Sequence, residues 1–225
     1  MKPHVTLGTA HTPDGALMTL VSQGDGLVIR VNGQPLMTSR LHGSEEAMAS
    51  AGCAHLARRP TAKVLVGGLG MGYTLRATLD LLPATATVLV AELVPAVVEW
   101  NRGPLAHLAG FPLQDSRVEV REQDVLEVLA QERGKLDGVL LDVDNGPGGL
   151  TTSENDQLYG KQGIARCWQA LATGGVLVTW SAHPDPGYVA RLEKAGFAVQ
   201  VQMVRAGGPS RKGARHQLFV AERRA

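Results

Sequence analysis

Cysteine is nearly absent: the 225 residues hold two, Cys53 and Cys167. Two cannot build a disulfide framework, and each sits among apolar or small neighbours, where a free thiol fills core space. Aromatics are scarce as well. Phe, Trp and Tyr number three each, so the core must be assembled from Ala, Val and Leu. No charge sign dominates, since 22 Lys plus Arg face 21 Asp plus Glu for a net charge of +1. A nucleic-acid partner would call for a basic excess and is not expected. No apolar run reaches the roughly 18 residues of a membrane span, and the opening MKPHVTLGTAHTPDG has no hydrophobic signal core. A cytoplasmic protein without a membrane partner is therefore expected. The histidines form no short pair with acids or cysteines, so no metal is expected. No Gly-x-Ser-x-Gly elbow occurs either. What remains is 44% hydrophobic residues and 27 glycines, enough apolar material for one domain plus a small appendage.

The first segment reads differently from the rest. Residues 17–22 and 26–31 are β-type runs around Gly24-Asp25-Gly26, a hairpin signal because these residues tolerate positive φ. Asn32-Gly33 gives a second turn before 34–38. The expectation is an N-terminal β-hairpin appendage with its joining segment over 1–44, followed by a nucleoside-binding catalytic domain over 45–225. An Ala-rich helix over 45–56 opens that domain. Strands over 64–66, 87–93, 117–121, 136–143 and 175–180 then alternate with helices at 73–82, from Pro95, at 125–132, 155–172 and 188–195, the rhythm of a parallel sheet covered on both faces. The last two strands, 197–204 and 216–221, are joined by RAGGPSRKGAR with no helix between them, so they must pair antiparallel. This order resembles the Rossmann-like Class I methyltransferase fold, an α/β fold with a seven-stranded, mostly parallel sheet ending in an antiparallel hairpin. The cationic linker (Arg205, Arg211, Lys212, Arg215) reads as a solvated loop.

Ligands in open α/β sheets bind beyond the carboxyl ends of the strands at the switch point. The first such end is Gly67-Gly68-Leu69-Gly70-Met71-Gly72, where glycines let backbone amides approach a ligand. Glu92 ends the second strand, where a carboxylate accepts both ribose hydroxyls of an adenosine. Asp124 follows the third strand, placed for the adenine amino group, and Asp142 and Asp144 end the fourth in LDVDNGPGG. So many acids would repel a dinucleotide's phosphates and attract a cationic nucleoside. A sulfonium donor such as S-adenosylmethionine fits both the sheet and the charge.

VLVGGLGMGYTLRATLD, VLVAELVPAVVEWNR, SRVEVREQDV and LDGVLLDVDNGPGG resemble the successive motifs of the spermidine/spermine synthases. IRVNGQPLMTSRLHGSEEAMA resembles the segment joining their small β domain to the nucleotide domain. The resemblance implies aminopropyltransferase-type chemistry, an S-adenosyl donor and a homodimer. Carried over, Glu92 matches the ribose-binding acid and Asp124 the adenine-side acid, with Gly68, Gly70, Met71, Gly72, Leu93, Val125 and Asp142 completing the donor site. Two acids of the family pattern are replaced. Met71 stands where an aspartate holds the donor's aminopropyl ammonium. Asn145 stands where a second aspartate helps to activate the acceptor amine. A tyrosine and a glutamine of the joining segment fall near Glu45 and Glu46.

An amine nucleophile at neutral pH is mostly protonated, so a carboxylate must hold it and take its proton; asparagine cannot. Asp142, Asp144 and Asn145 are the candidate catalytic residues, with Asp144 a substitute for the missing acid. His42, Glu45 and Glu46 contact an acceptor or face solvent at a helix start. Tyr159 lines the acceptor pocket or packs in the core, and His183 is a base or a rim residue. Three functions follow. The first is methyl transfer from S-adenosylmethionine to a small amine, largely a matter of positioning, with the amides of Gly68 to Gly72 receiving the donor's carboxylate. The alternative is a polyamine aminopropyltransferase using decarboxylated S-adenosylmethionine. A non-catalytic adenosine-ligand binder is the third.

Overall fold

The structure, a computed structural model, describes residues 4–143, 146–147, 157–208 and 213–224. Asp144, Asn145, Arg211 and Lys212 lie outside the described residues. The N-terminal segment forms an antiparallel sheet of β1 (His4–His11), β2 (Leu17–Gln23), β3 (Gly26–Val31) and β4 (Gln34–Thr38), in chain order. The turns at Gly24-Asp25 and Asn32-Gly33 close two of its hairpins, as their composition predicts. β1 is not expected from sequence. Its side chains are mostly exposed, so it carries no in–out alternation, and its register shifts between Thr6 and Gly8. Gly8 lies against the indole of Trp100, which leaves no room for a side chain there. Met18, Leu20 and Ile29 on the other strands join the main apolar core.

The second sheet holds β5 (Lys63–Gly67), β6 (Thr87–Ala91), β7 (Val118–Arg121), β8 (Leu136–Leu141), β9 (Leu171–Ser181), β10 (Phe197–Arg205) and β11 (Arg215–Arg223). Their order is β10-β11-β9-β8-β5-β6-β7. β5 to β9 run parallel; β11 is antiparallel to both β9 and β10. This is the mostly parallel seven-stranded sheet with a terminal antiparallel pair that the sequence rhythm implies. β9 begins earlier than expected because Leu171 already pairs with Leu136 before a register irregularity. The helix before it, expected over 155–172, is seen as Lys161–Ala170.

Helices cover both faces: α1 (Gly43–Cys53), α2 (Tyr73–Leu81) and α3 (Pro95–Arg102) on one, α4 (Val125–Gln131), α5 (Lys161–Ala170) and α6 (Pro186–Lys194) on the other. The strands alternate between them with period two. Val64, Val66, Val88, Val90 and Leu140 join α1 to α3, while Leu65, Leu89, Val139 and Leu141 join α4 to α6. Because both faces are buried, β8 reads as one apolar run broken only by Asp137 and Gly138. Asp137 is tied down by the Lys63 amide and Arg59. Each fully buried Val or Leu stabilises the fold by roughly 1.5–3 kcal/mol relative to exposure, which is how a chain with so few aromatics holds together. Among the described residues no helix is long and apolar enough to cross a membrane.

Candidate active site

β5 lies between β6 and β8, and the carboxyl ends of these strands open into a cleft of about 630 Å³. Its second wall is the N-terminal sheet, which contributes Met18, Ile29, Val31, Leu36 and Met37. The loop after β5 can pass beside the end of β8 only because residue 68 is glycine. Its φ is +87°, and a Cβ there would run into the carbonyl oxygen of Asp142.

Glu92, at the end of β6, is buried, and both its oxygens accept backbone amides, Oε2 from Leu69 and Oε1 from Val94, each at 2.9 Å. These two bonds fix the carboxylate at the strand end, on the wall of the cleft. Asp124 caps α4, with Oδ1 accepting from the Leu126 amide at 2.6 Å, and borders the same cleft. Gly68, Gly70, Leu93, Val125 and Asp142 line it too.

Glu45 and Asp142 form the charged centre. α1 starts at Gly43, two residues before the sequence expectation, so Ser44 and Glu45 sit in its first turn and point into the fold, both buried. Asp142 Oδ2 accepts from the Thr74 hydroxyl at 2.8 Å. Burial first, and then the Asp142 charge, pushes the Glu45 carboxyl up to about 7. Burial raises Asp142 as well. Ser44 Oγ donates to Glu45 Oε2 at 2.6 Å and meets His216 Nδ1 at 3.2 Å. His216 packs edge-on against Trp180, ring centres 4.6 Å apart. Five carboxylates line the cleft (Asp14, Glu45, Glu92, Asp124 and Asp142) and, among the described residues, no Lys or Arg does.

Several expected site residues stand elsewhere. The Met71 side chain is wholly buried in the apolar core and does not reach the cleft. Gly70 and Gly72, both left-handed, turn it inward. Gly72 faces Asn101 and Pro112. His42 stacks on Tyr73 and pairs with Glu46 at 2.8 Å, so both stay off the cleft. Tyr159 is buried, its hydroxyl donating to the Val143 carbonyl at 3.0 Å, which is the packing alternative. His183 is exposed beside the opening rather than in it. The amides of the glycine loop are largely engaged, Gly68 with the Ala91 carbonyl, Leu69 with Glu92 and Gly72 with the Leu69 carbonyl. Sequence reasoning missed Ser44, Met37 and His216. The signal for His216 was the antiparallel register of β11 on β9, which pairs Leu218 with Trp180 and so sets His216 at the open end of the sheet.

The fold so described is methyltransferase-like, with an added N-terminal β sheet. Among solved structures it is similar to spermidine synthases. One from Thermotoga maritima superposes with a TM-score of 0.75 at 20% identity, covering 97% of this chain and 72% of that one. A spermidine synthase in complex with the transition state analogue AdoDATO gives 0.74 at 19% identity, with the same coverage. A probable spermidine synthase from Corynebacterium glutamicum gives 0.63 at 20%, covering 96% of this chain and 79% of that one. No family model and no curated protein sequence matches the chain. The resemblance read in the motifs therefore holds at the level of fold: the chain has the fold of the spermidine synthases.

Proposed function

We propose that this protein is an aminopropyltransferase-type enzyme, moving an aminopropyl group from decarboxylated S-adenosylmethionine to a small amine. The observation that carries this reading is the cleft's charge: five carboxylates and, among the described residues, no Lys or Arg. The decarboxylated donor bears two positive charges, sulfonium and ammonium, and a protonated amine acceptor adds more. Intact S-adenosylmethionine carries a carboxylate that Glu45 and Asp142 would repel. The loop amides expected to receive that carboxylate are mostly spent on Ala91, Glu92 and Leu69. These two facts set aminopropyl transfer ahead of methyl transfer. That the shared fold is one of spermidine synthases, one of them solved with AdoDATO, supports the same choice.

In this reading Glu92 takes the ribose hydroxyls and Asp124 the adenine amino group. Asp142, held by Thr74, and Glu45 face the donor's ammonium and the attacking amine. Thus Glu45 supplies the carboxylate absent at Met71 and Asn145. The N-terminal sheet closes the cleft with apolar side chains and limits water, so donor and acceptor are held in line. A metal has no part in this scheme, and no group of His, Cys, Asp and Glu suited to one occurs among the described residues.

The test is direct. Incubated with decarboxylated S-adenosylmethionine and putrescine, the protein should release methylthioadenosine and one equivalent of the aminopropylated amine. A methylated amine formed from S-adenosylmethionine, with no product from the decarboxylated donor, would overturn the reading.

A further inference from the structure

Aminopropyl transfer has a proton to dispose of. The acceptor arrives as an ammonium and must lose one proton before its nitrogen lone pair can attack. When the C–N bond forms, the C–S bond breaks and its electron pair stays on sulfur as the neutral thioether. The new secondary ammonium keeps its own hydrogens, so each turnover leaves one proton inside a cleft walled by apolar side chains.

Three side chains lead out of it. Glu45, buried at the start of α1, is linked through Ser44 Oγ at 2.6 Å, and Ser44 in turn meets His216 Nδ1 on β11 at 3.2 Å. Ser44 is buried, while His216 is only half-buried at the cleft's edge. From these distances we propose that Glu45 takes the acceptor's proton and that Ser44 and His216 carry it to solvent. This deepens the aminopropyl-transfer reading and rests on it. Glu45 touches the substrate; Ser44 and His216 act through it.

The surroundings suit each station. Asp142 from the end of β8, Glu46 on α1 and Tyr73 from α2 are the ionisable groups around Glu45. Burial and Asp142 bring its carboxyl close to neutrality, so it can both gain and release a proton near pH 7. Burial, then the neighbouring His183, holds His216 below the usual histidine range. It is therefore neutral at rest and its Nδ1 can accept. In the resting geometry Ser44 donates to Glu45. Once Glu45 is protonated it donates to Ser44, whose hydroxyl rotates to donate to His216, and the ring releases the proton outward. The Trp180 edge contact holds that ring in place.

The experiment is steady-state turnover of the full chain with decarboxylated S-adenosylmethionine and putrescine across pH 6 to 10. Ser44→Ala cuts the relay while both ends remain, and His216→Ala removes the exit. Each should lower kcat by roughly 100-fold, the low end of what a positioned proton-transfer group contributes, with methylthioadenosine affinity within about twofold of wild type. Imidazole in the buffer should restore His216→Ala turnover, and more basic imidazoles should restore it more, a response that loss of packing would not give. Glu45→Gln should flatten the pH profile. Both relay variants turning over like wild type, with its pH profile, would overturn the relay and leave the aminopropyl reading standing. A wild-type protein that forms no aminopropyl product would instead sink that reading, and the relay with it.

Discussion

At the scale of single residues, the burial of Glu45 is the feature with the clearest energetic signature. Its carboxyl is raised from an ordinary 4.5 to about 7, by burial first and then by Asp142. The folded protein thus holds this proton more tightly than the unfolded chain does. The stability so gained is fully present below pH 4.5 and is lost as pH rises through 7. Glu45→Gln should therefore match wild type in thermal unfolding at pH 4. At pH 8 it should exceed wild type by on the order of 3 kcal/mol, or roughly 6–12 °C for a domain of this size; an unchanged difference between the two pH values would refute the buried charge. Glu92 makes the opposite case, a buried acid satisfied by the Leu69 and Val94 amides. Glu92→Ala should raise the dissociation constant for methylthioadenosine at least about 100-fold, since two charge-assisted bonds contribute roughly 1.5–3 kcal/mol each. Calorimetry showing no change would remove Glu92 from the ribose. The strand-end place of Glu92 was legible in the sequence, whereas for Glu45 the sequence left a solvent-facing helix start open, and the structure buries it. The pairing of Glu45 with Asp142 was not legible, because it depends on how α1 docks against the end of β8, which no local pattern encodes. Met71 misled for the same reason: motif alignment gives its position along the chain, but the turn between left-handed Gly70 and Gly72 decides where its side chain goes.

Among the elements, the loop from β5 to α2 sets the geometry of the cleft where β5 and β8 end. Gly68→Ala would need an L residue at φ +87° and would press its methyl into the Asp142 carbonyl. The left-handed conformation alone costs about 1–2 kcal/mol, and the contact should separate the ends of β5 and β8. The variant should show a lower melting temperature and no methylthioadenosine binding; full binding would mean that the loop does not form the donor site. Element type and order were readable almost throughout, because buried parallel strands give short apolar runs and the missing helix before β11 forces an antiparallel pair. β1 escaped, since an exposed strand with Gly8 packed on Trp100 has no alternation to read. The bounds around β9 shifted because its first residues pair beyond a register irregularity.

For the whole molecule, the telling fact is how charge is distributed. A chain of net charge +1 sets five carboxylates along one cleft with no Lys or Arg among its described lining residues. The fold thereby gathers carboxylates into the cleft and leaves the rest of the molecule with an excess of Lys and Arg. We expect a homodimer from the family resemblance; light scattering at micromolar concentration should give twice 23.8 kDa, and a mass near 23.8 kDa would count against it. The aminopropyl-transfer reading requires that this cleft prefer a donor without a carboxylate. It is tested most directly by titrating the protein in a calorimeter with S-adenosylmethionine and with its decarboxylated form. The decarboxylated donor should bind at least about tenfold more tightly, a difference of roughly 1.4 kcal/mol. Equal affinities, or tighter binding of intact S-adenosylmethionine, would contradict that reading.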